Sequence, residues 1–156
     1  MSNEQKIGMR VRDIMIPAVQ TLGRNDELLL ADQVMTQKNF RHLPVLDEDR
    51  GVVGILSQRD MFRGALAKAL GYGTVAQEKM MASLPIKEVM TTDVITIRPD
   101  APVATAAALM LQHQIGCLPV IDAGKLVGIV TESDFVALAL VKETPDDDTS
   151  ARRPPR

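Results

Sequence analysis

Two stretches of the sequence decide the fold: Gly54-Ile-Leu-Ser-Gln-Arg-Asp60 and Gly128-Ile-Val-Thr-Glu-Ser-Asp134. Each is a short apolar run that ends in a hydroxyl residue, with an aspartate three positions later. This pattern is typical of a buried strand that passes directly into a helix. The chain therefore carries the same strand-to-helix junction twice, 74 residues apart.

The likeness extends upstream of these junctions, with one change of spacing. His42-Leu-Pro-Val45 recurs as Cys117-Leu-Pro-Val120, and Val11-Arg-Asp-Ile-Met15 recurs as Ile86-Lys-Glu-Val-Met90, both at a shift of 75 residues. The shift then falls to 74 because the loop after the first Leu-Pro-Val is one residue longer. So long a match with a single loop deletion indicates an internal duplication.

Both copies predict the same order of elements, β-α-β-β-α. β-rich stretches come first, at about Ala18–Leu22 and Val94–Arg98, and N-cap residues Asn25 and Asp100 open the helices that follow. Apolar runs around Gly-containing turns then predict hairpins, and a helix closes each copy. The hairpins are Leu43–Leu46 with Gly51–Leu56 and Leu118–Ile121 with Leu126–Val130, and the closing helices are Gln58–Leu70 and Glu132–Val141.

A single copy has only about 50–60 residues, a size at which a lone core is marginal. We therefore expect an α/β fold of the α+β type, in which the two repeats pack about a pseudo-two-fold axis as one body. The first repeat is expected at 8–70 and the second at 86–142. The connector 71–85 is expected to include a short helix over Val75–Leu84. The tail 143–156 has little to bury and is expected to be disordered.

Composition excludes several classes of protein. The 156 residues include 18 basic and 20 acidic side chains, so there is no basic footprint for nucleic acid. The 46% apolar content is that of a globular chain, and Cys117 alone cannot form an internal disulfide. Neither a signal peptide nor a run long enough to span a membrane is evident. We expect a cytoplasmic protein with no membrane partner.

The two junctions carry the polar chemistry. Ser57 with Asp60, and Thr131 with Asp134, have the spacing of a helix capping box, which is a purely structural role. The same helix N-terminus also offers free amides and a positive dipole to an anion. Because aspartate is shorter than the glutamate preferred for reciprocal capping, both of its oxygens could instead point outward to a cis-diol.

The duplicated motifs resemble the cystathionine-β-synthase-type (CBS) domain, present here as a tandem pair. The resemblance covers about Val11 to Val141 and rests on Leu-Pro-Val before a hairpin and on the strand-to-helix junction, each found twice. It implies a regulatory pair that binds AMP, ADP or ATP, with NAD(H) and S-adenosylmethionine as alternatives, in clefts between the repeats. It also implies a homodimer and an unidentified effector protein. No obligatory cofactor and no metal are implied.

The resemblance also assigns roles to residues. Asp60 and Asp134 would hold ribose hydroxyls, with Ser57 and Thr131 beside them, and basic residues would reach phosphates. The phosphate candidates are Arg41, His42 and Arg59, whose counterparts in the second copy are Gly116, Cys117 and Ser133. The sequence does not decide which cleft receives Arg41 and His42. The adenine candidates, for each of which plain core packing is the better single explanation, are Val19, Thr21, Val94, Thr96, Ile55 and Ile129.

Two alternatives to ligand sensing remain. One is a structural or dimerisation module whose clefts are partly or wholly degenerate. Arg41 and Arg59 would then be solvated surface charges. An enzyme is disfavoured, because neither a nucleophile–base pair nor a Gly-rich phosphate loop is evident. We therefore predict no catalytic residues.

Overall fold

The computed structural model describes residues 8–69, 79 and 81–140, which form a mixed α/β structure. The first half contains α1 (Val11–Ile14), β1 (Leu22–Gly23), α2 (Leu28–Lys38), β2 (His42–Leu46), β3 (Val52–Ser57) and α3 (Gln58–Ala69). The second half contains a 3₁₀ turn (Ile86–Glu88), α4 (Val103–His113), β4 (Cys117–Asp122), β5 (Lys125–Thr131) and α5 (Glu132–Leu140).

An antiparallel hairpin forms the centre of each half, as predicted. β2 pairs with β3 and β4 pairs with β5, and the register of both hairpins shifts at the same place, after Val45 and after Val120. β1 adds to the first hairpin in parallel, where Leu22 lies opposite Val45. Ile97 makes the equivalent parallel bridge to Val120 in the second half. The two halves thus repeat each other down to individual bridges.

The segment that begins each half pairs with the opposite half. We call residues 8–16 the first leading segment and residues 84–91 the second. Ile16 and Ile129 exchange backbone hydrogen bonds of 2.9 and 3.0 Å, and Thr91 and Ile55 exchange two of 2.9 Å. Each leading segment therefore extends the hairpin of the other half.

The apolar cores follow the same exchange. One core joins first-half residues such as Leu28, Leu43 and Leu56 to Leu84 and Ile86 of the second leading segment. The other core joins Val11 to second-half residues, with Ile14 and Met15 packed against it; these second-half residues are Ile97, Ala106, Met110, Leu118, Val120 and Val130. Each core therefore contains residues from both halves.

Two glycines allow the leading segments to approach the hairpins. A Cβ atom on Gly54 would lie 3.1 Å from the backbone oxygen of Thr91, and one on Gly128 would lie 3.1 Å from that of Ile16. The sulfurs of Met90 and Met15 lie closer still to these positions. The exchange therefore depends on the absence of a side chain at the start of each junction motif.

The predicted helix starts were wrong. α2 begins after Glu27 and α4 after Pro102, so Asn25 and Asp100 are not N-caps. The first amide of α2, at Leu28, donates instead to the Leu84 oxygen at 2.9 Å. The first amide of α4, at Val103, donates to the Met9 oxygen at 3.1 Å. Because the leading segments supply these acceptors, neither helix needs a polar side chain at its start.

The first predicted strand of each copy is also shorter than expected. Only Leu22–Gly23 pairs as a strand in the first half, and a single bridge at Ile97 replaces the predicted Val94–Arg98 strand. Residues 17–21 instead connect the bridge at Ile16 to the strand at Leu22, and they cross from one half to the other. The crossing prevents continuous pairing with one hairpin.

Other predictions fall at the limits of the described residues. Of the helix predicted over Val75–Leu84, Met81 to Ser83 are helical. Residues 75–78 and 80 lie outside the described residues. The predicted disordered tail 143–156 also lies outside them, as do the predicted last residues of the closing helices, Leu70 and Val141.

We expect Gly128→Val to destabilise the fold by about 1–3 kcal/mol, because the added side chain would overpack the contact with the first leading segment. Urea unfolding followed by circular dichroism measures the change. Gly51→Ala is the control, since a Cβ atom there would meet the Asp47 carboxylate at an ordinary 3.4 Å. Equal stability of the two variants would contradict the role given to Gly128.

We expect the thiol of Cys117 to be unreactive in the folded protein. The residue is 5% exposed, and burial raises the pKa of its thiol to about 12. At pH 8 only about one thiol in ten thousand would then be ionised, and the thiolate is the reactive form. Labelling with a disulfide reagent at pH 8 should be slow without urea and fast with it. Comparable rates would show that the thiol is accessible.

Candidate functional site

A cleft of about 390 Å³ lies between the two halves, where the first leading segment meets β5 and the start of α5. Ile16 and Ile129, which are paired through their backbones, lie side by side in its wall. We call residues 17–21, which cross from one half to the other, the crossing chain. Three of its residues, Ala18, Val19 and Gln20, complete this wall. The exchange of leading segments therefore creates the apolar side of the cleft.

The polar end of the cleft is the second junction. Thr131, Glu132, Ser133 and Asp134 all line it. The Thr131 amide donates to Oδ2 of Asp134 at 2.7 Å, and the Thr131 hydroxyl donates to the same oxygen at 3.3 Å. Among the described residues, no hydrogen bond engages the other oxygen, Oδ1. Both hydrogen bonds from Thr131 therefore go to one carboxylate oxygen of Asp134, whereas the sequence suggested that both oxygens could point outward.

The equivalent carboxylate in the first half, Asp60, also accepts two hydrogen bonds at Oδ2. The Ser57 amide donates to this oxygen at 3.3 Å and the Thr91 hydroxyl at 3.2 Å, while the Asp60 amide donates to Ser57 Oγ at 2.9 Å. Among the described residues, no hydrogen bond engages Oδ1 of Asp60. Ile16 occupies the position equivalent to Thr91 in the other half, so Asp134 receives no bond from a leading segment. The two carboxylates therefore accept the same number of hydrogen bonds and differ in where one donor comes from.

Arg41 and His42 lie in the cleft of Asp134, opposite the second junction. The fit depends on Gly116, because a Cβ atom there would come within 2.9 Å of the His42 imidazole. Gly116 is the counterpart of Arg41, so the duplication has kept a large side chain at this position in one copy only. The structure thus assigns the basic pair to one cleft, a point that the sequence left open.

The His42 imidazole is half-buried between charged groups. Burial lowers its pKa, and Arg41 acts in the same direction, while the carboxylates of Glu132 and Asp60 oppose the shift. A pKa below the ordinary 6.5 leaves the imidazole neutral at pH 7. His42 can therefore act there as a donor or acceptor of a hydrogen bond, and Arg41 is the cation of this cleft.

The remaining predicted site residues divide between the two halves. Val19 and Ile129 line the cleft, whereas Ile55 pairs with Thr91 beside Asp60. Arg59 is exposed on the first turn of α3. Thr21, Val94 and Thr96 do not line the cleft.

Three of the residues that sequence reasoning missed at the two junctions and in the cleft are Glu132, Thr91 and Phe40. Glu132 lines the cleft at the position of Gln58, Thr91 bonds to Asp60 at the position of Ile16, and Phe40 lies in the cleft wall. The signal for the first two was a difference in polarity between matched positions of the copies. Their effect could not be read without knowing that each leading segment packs on the opposite half.

The described residues contain no group of three or more His, Cys, Asp or Glu side chains placed to hold a metal ion. None of the helices described in residues 8–69 and 81–140 has the length and apolarity needed to cross a membrane.

Comparison with curated proteins gives relatives of two kinds. The CBS domain-containing protein YhcV of Bacillus subtilis is 33% identical over 135 residues, which make up 86% of this chain and 88% of YhcV. The homoserine O-acetyltransferase of Methanohalobium evestigatum is 33% identical over 129 residues, or 82% of this chain, but the chain spans only 24% of that protein.

Two solved structures with bound ligands have the same fold. The CBS domain pair of protein MJ0100, in complex with 5′-methylthioadenosine and S-adenosyl-L-methionine, is 34% identical, with a TM-score of 0.70 over 86% of this chain and 98% of that one. CBSX2 in complex with AMP is 28% identical, with a TM-score of 0.69 and the same coverage.

The CBS domain family model matches twice, at residues 11–66 and 86–140. These ranges contain both hairpins and both junctions, and they take up most of the chain. The chain belongs to the CBS-domain family and carries a tandem pair of these domains.

Proposed function

We propose that the chain is a regulatory module that binds an adenosyl ligand in the cleft of Asp134 and signals to a partner protein. One observation carries the proposal: the cleft joins Asp134 and Thr131 of one half to Val19, Arg41 and His42 of the other. CBS-domain pairs are generally regulatory and not catalytic. The ligands of MJ0100 and CBSX2 share an adenosyl group, and this supports the class of ligand.

The cleft offers suitable groups for each part of an adenosine. Its volume of about 390 Å³ lies within the usual range of ligand pockets, roughly 300–1,000 Å³. Oδ1 of Asp134 would accept hydrogen bonds from the ribose hydroxyls. The apolar side chains of Ile16, Val19 and Ile129 would flank the adenine ring. The 5′ substituent would then extend toward Arg41 and His42.

The first junction is a weaker candidate for a second site. Oδ2 of Asp60 accepts two hydrogen bonds, as Oδ2 of Asp134 does, but Ser57, Arg59 and Asp60 do not line the cleft. Their absence from the cleft favours the alternative of a degenerate site for the first junction, and it leaves the Asp134 cleft as the candidate.

A ligand in the Asp134 cleft would touch both halves. Binding would stabilise the arrangement in which the crossing chain and α5 are close together. A signal requires that the ligand bind one arrangement more tightly than another, because equal affinity shifts no population. A partner protein that recognises this arrangement would read the signal.

We also propose that the chain forms a homodimer through its closing helices. Phe62 on α3 and Val136 on α5 occupy equivalent positions in the two copies, and they are 67% and 62% exposed. Leu140, one turn beyond Val136, is 69% exposed. Large apolar side chains that repeat on two symmetry-related helices would be covered if a second copy packed on both.

We expect saturating adenosyl ligand to raise the melting temperature, and Asp134→Asn to remove most of that rise. At about 100 times the dissociation constant a ligand stabilises the fold by roughly 2.7 kcal/mol. Loss of a hydrogen bond to a charged group costs about 1.5–3 kcal/mol, so affinity should fall by more than tenfold. A thermal-shift panel of AMP, ADP, ATP, NAD(H), 5′-methylthioadenosine and S-adenosylmethionine measures the effect.

Asp60→Asn is the matched control, since it makes the same change in the carboxylate that does not line the cleft. It should reduce the shift much less. If no ligand of the panel stabilised the wild-type chain, a structural or dimerisation module would be the better assignment. A larger loss with Asp60→Asn would place the main site in the first half.

We expect light scattering at micromolar concentration to give about twice the chain mass of 17.0 kDa. The double variant Phe62→Asp, Val136→Asp should be monomeric, because it would bury two charges in the interface. Leu111→Asp is the control, since Leu111 is 81% exposed on a different helix, α4. A monomeric wild-type chain would rule out this interface.

A further inference from the structure

Charges of both signs line the Asp134 cleft. Arg41 contributes a guanidinium from the first half, and Glu132 contributes a carboxylate from the first residue of α5. Among the described residues, no ion pair joins either group to another. The His42 imidazole lies within the electrostatic influence of both, and burial keeps it neutral at pH 7. Beyond Asp134, a ligand therefore meets one unpaired cation and one unpaired anion.

The two copies differ in charge at this place. The second junction has Glu132 and Ser133, with one negative charge, where the first has Gln58 and Arg59, with one positive charge. Both residues of the second pair line the cleft. A triphosphate would bring several negative charges to a site with a single guanidinium and an opposing carboxylate, so repulsion would offset much of the attraction.

We propose that the Asp134 cleft selects an adenosyl ligand whose 5′ substituent is zwitterionic, an amino-acid tail, and discriminates against polyphosphates. This proposal rests on the proposed function. Arg41 would take the tail carboxylate, for which the planar guanidinium is suited by its paired donors. Glu132 would take the tail ammonium. The imidazole of His42 would bridge the two as a neutral hydrogen-bonding group.

The experiment compares ligands that differ only in the tail. S-adenosylhomocysteine and 5′-methylthioadenosine share the adenosine and a neutral sulfur, but only the first has the amino-acid tail. AMP and ATP differ only in phosphate number. We expect calorimetry at low salt to show that S-adenosylhomocysteine binds about tenfold more tightly than 5′-methylthioadenosine. ATP should bind more weakly than AMP.

Glu132→Gln tests the role proposed for the Glu132 carboxylate. It introduces the residue that the first half has at the matched position, Gln58. Because Glu132 is exposed, the expected effect is modest, about a fivefold loss of affinity for S-adenosylhomocysteine. The affinity for 5′-methylthioadenosine should not change, and that for ATP should rise. Gln58→Glu is the matched control in the other junction and should change none of these affinities.

The outcomes separate this proposal from the one on which it rests. If the two thioethers bound equally, or ATP bound more tightly than AMP, the tail selectivity would be wrong while the adenosyl site stood. If Glu132→Gln weakened all ligands alike, Glu132 would hold the fold of the cleft and not the tail. If no nucleoside bound at all, both proposals would fail.

Discussion

The exchange of leading segments is the constraint on which the rest of the structure depends. Two matched pairs of backbone hydrogen bonds, Ile16 with Ile129 and Thr91 with Ile55, fasten each segment to the opposite hairpin. Once Ile16 is held against β5, the chain must cross back to reach the first hairpin at Leu22. The crossing places Val19 over the other half and leaves a cleft beside it. Core, helix starts and candidate site therefore share one cause.

The duplication, the element order and both hairpins could be predicted from sequence, because alternation and helical spacing are local properties of each copy. The exchange could not be predicted, because equivalent positions in the copies have nearly the same character. Val11 and Ile86 would each fit either core, as would Met15 and Met90, and an alignment of the chain with itself does not say which core a segment enters. The wrong N-caps follow from this gap. Asn25 and Asp100 are good caps in isolation, but amides already bonded to a neighbouring segment do not need them.

In the candidate site, too, features within one motif could be predicted from sequence, whereas contacts between residues far apart in the chain could not. The junction motif was enough to single out Asp134 and Thr131, since the hydroxyl and carboxylate belong to one turn. It was not enough to predict that Asp134 lines the cleft and Asp60 does not, or that Thr91 and Ile16 of the leading segments lie beside the two junctions. The placement of Arg41 and His42 likewise depends on Gly116, which leaves room for an imidazole from the other half. The local sequence was enough to predict the functional groups, whereas the packing of the two halves determines which of these groups lie close together.

The reciprocal exchange has a consequence for the history of the chain. A single copy that kept this architecture would have to place its leading segment on the hairpin of a second molecule. Such a pair would have two identical junctions by symmetry, and any substitution would alter both together. With two copies in one polypeptide the junctions can differ, as they do at Glu132 and Arg59.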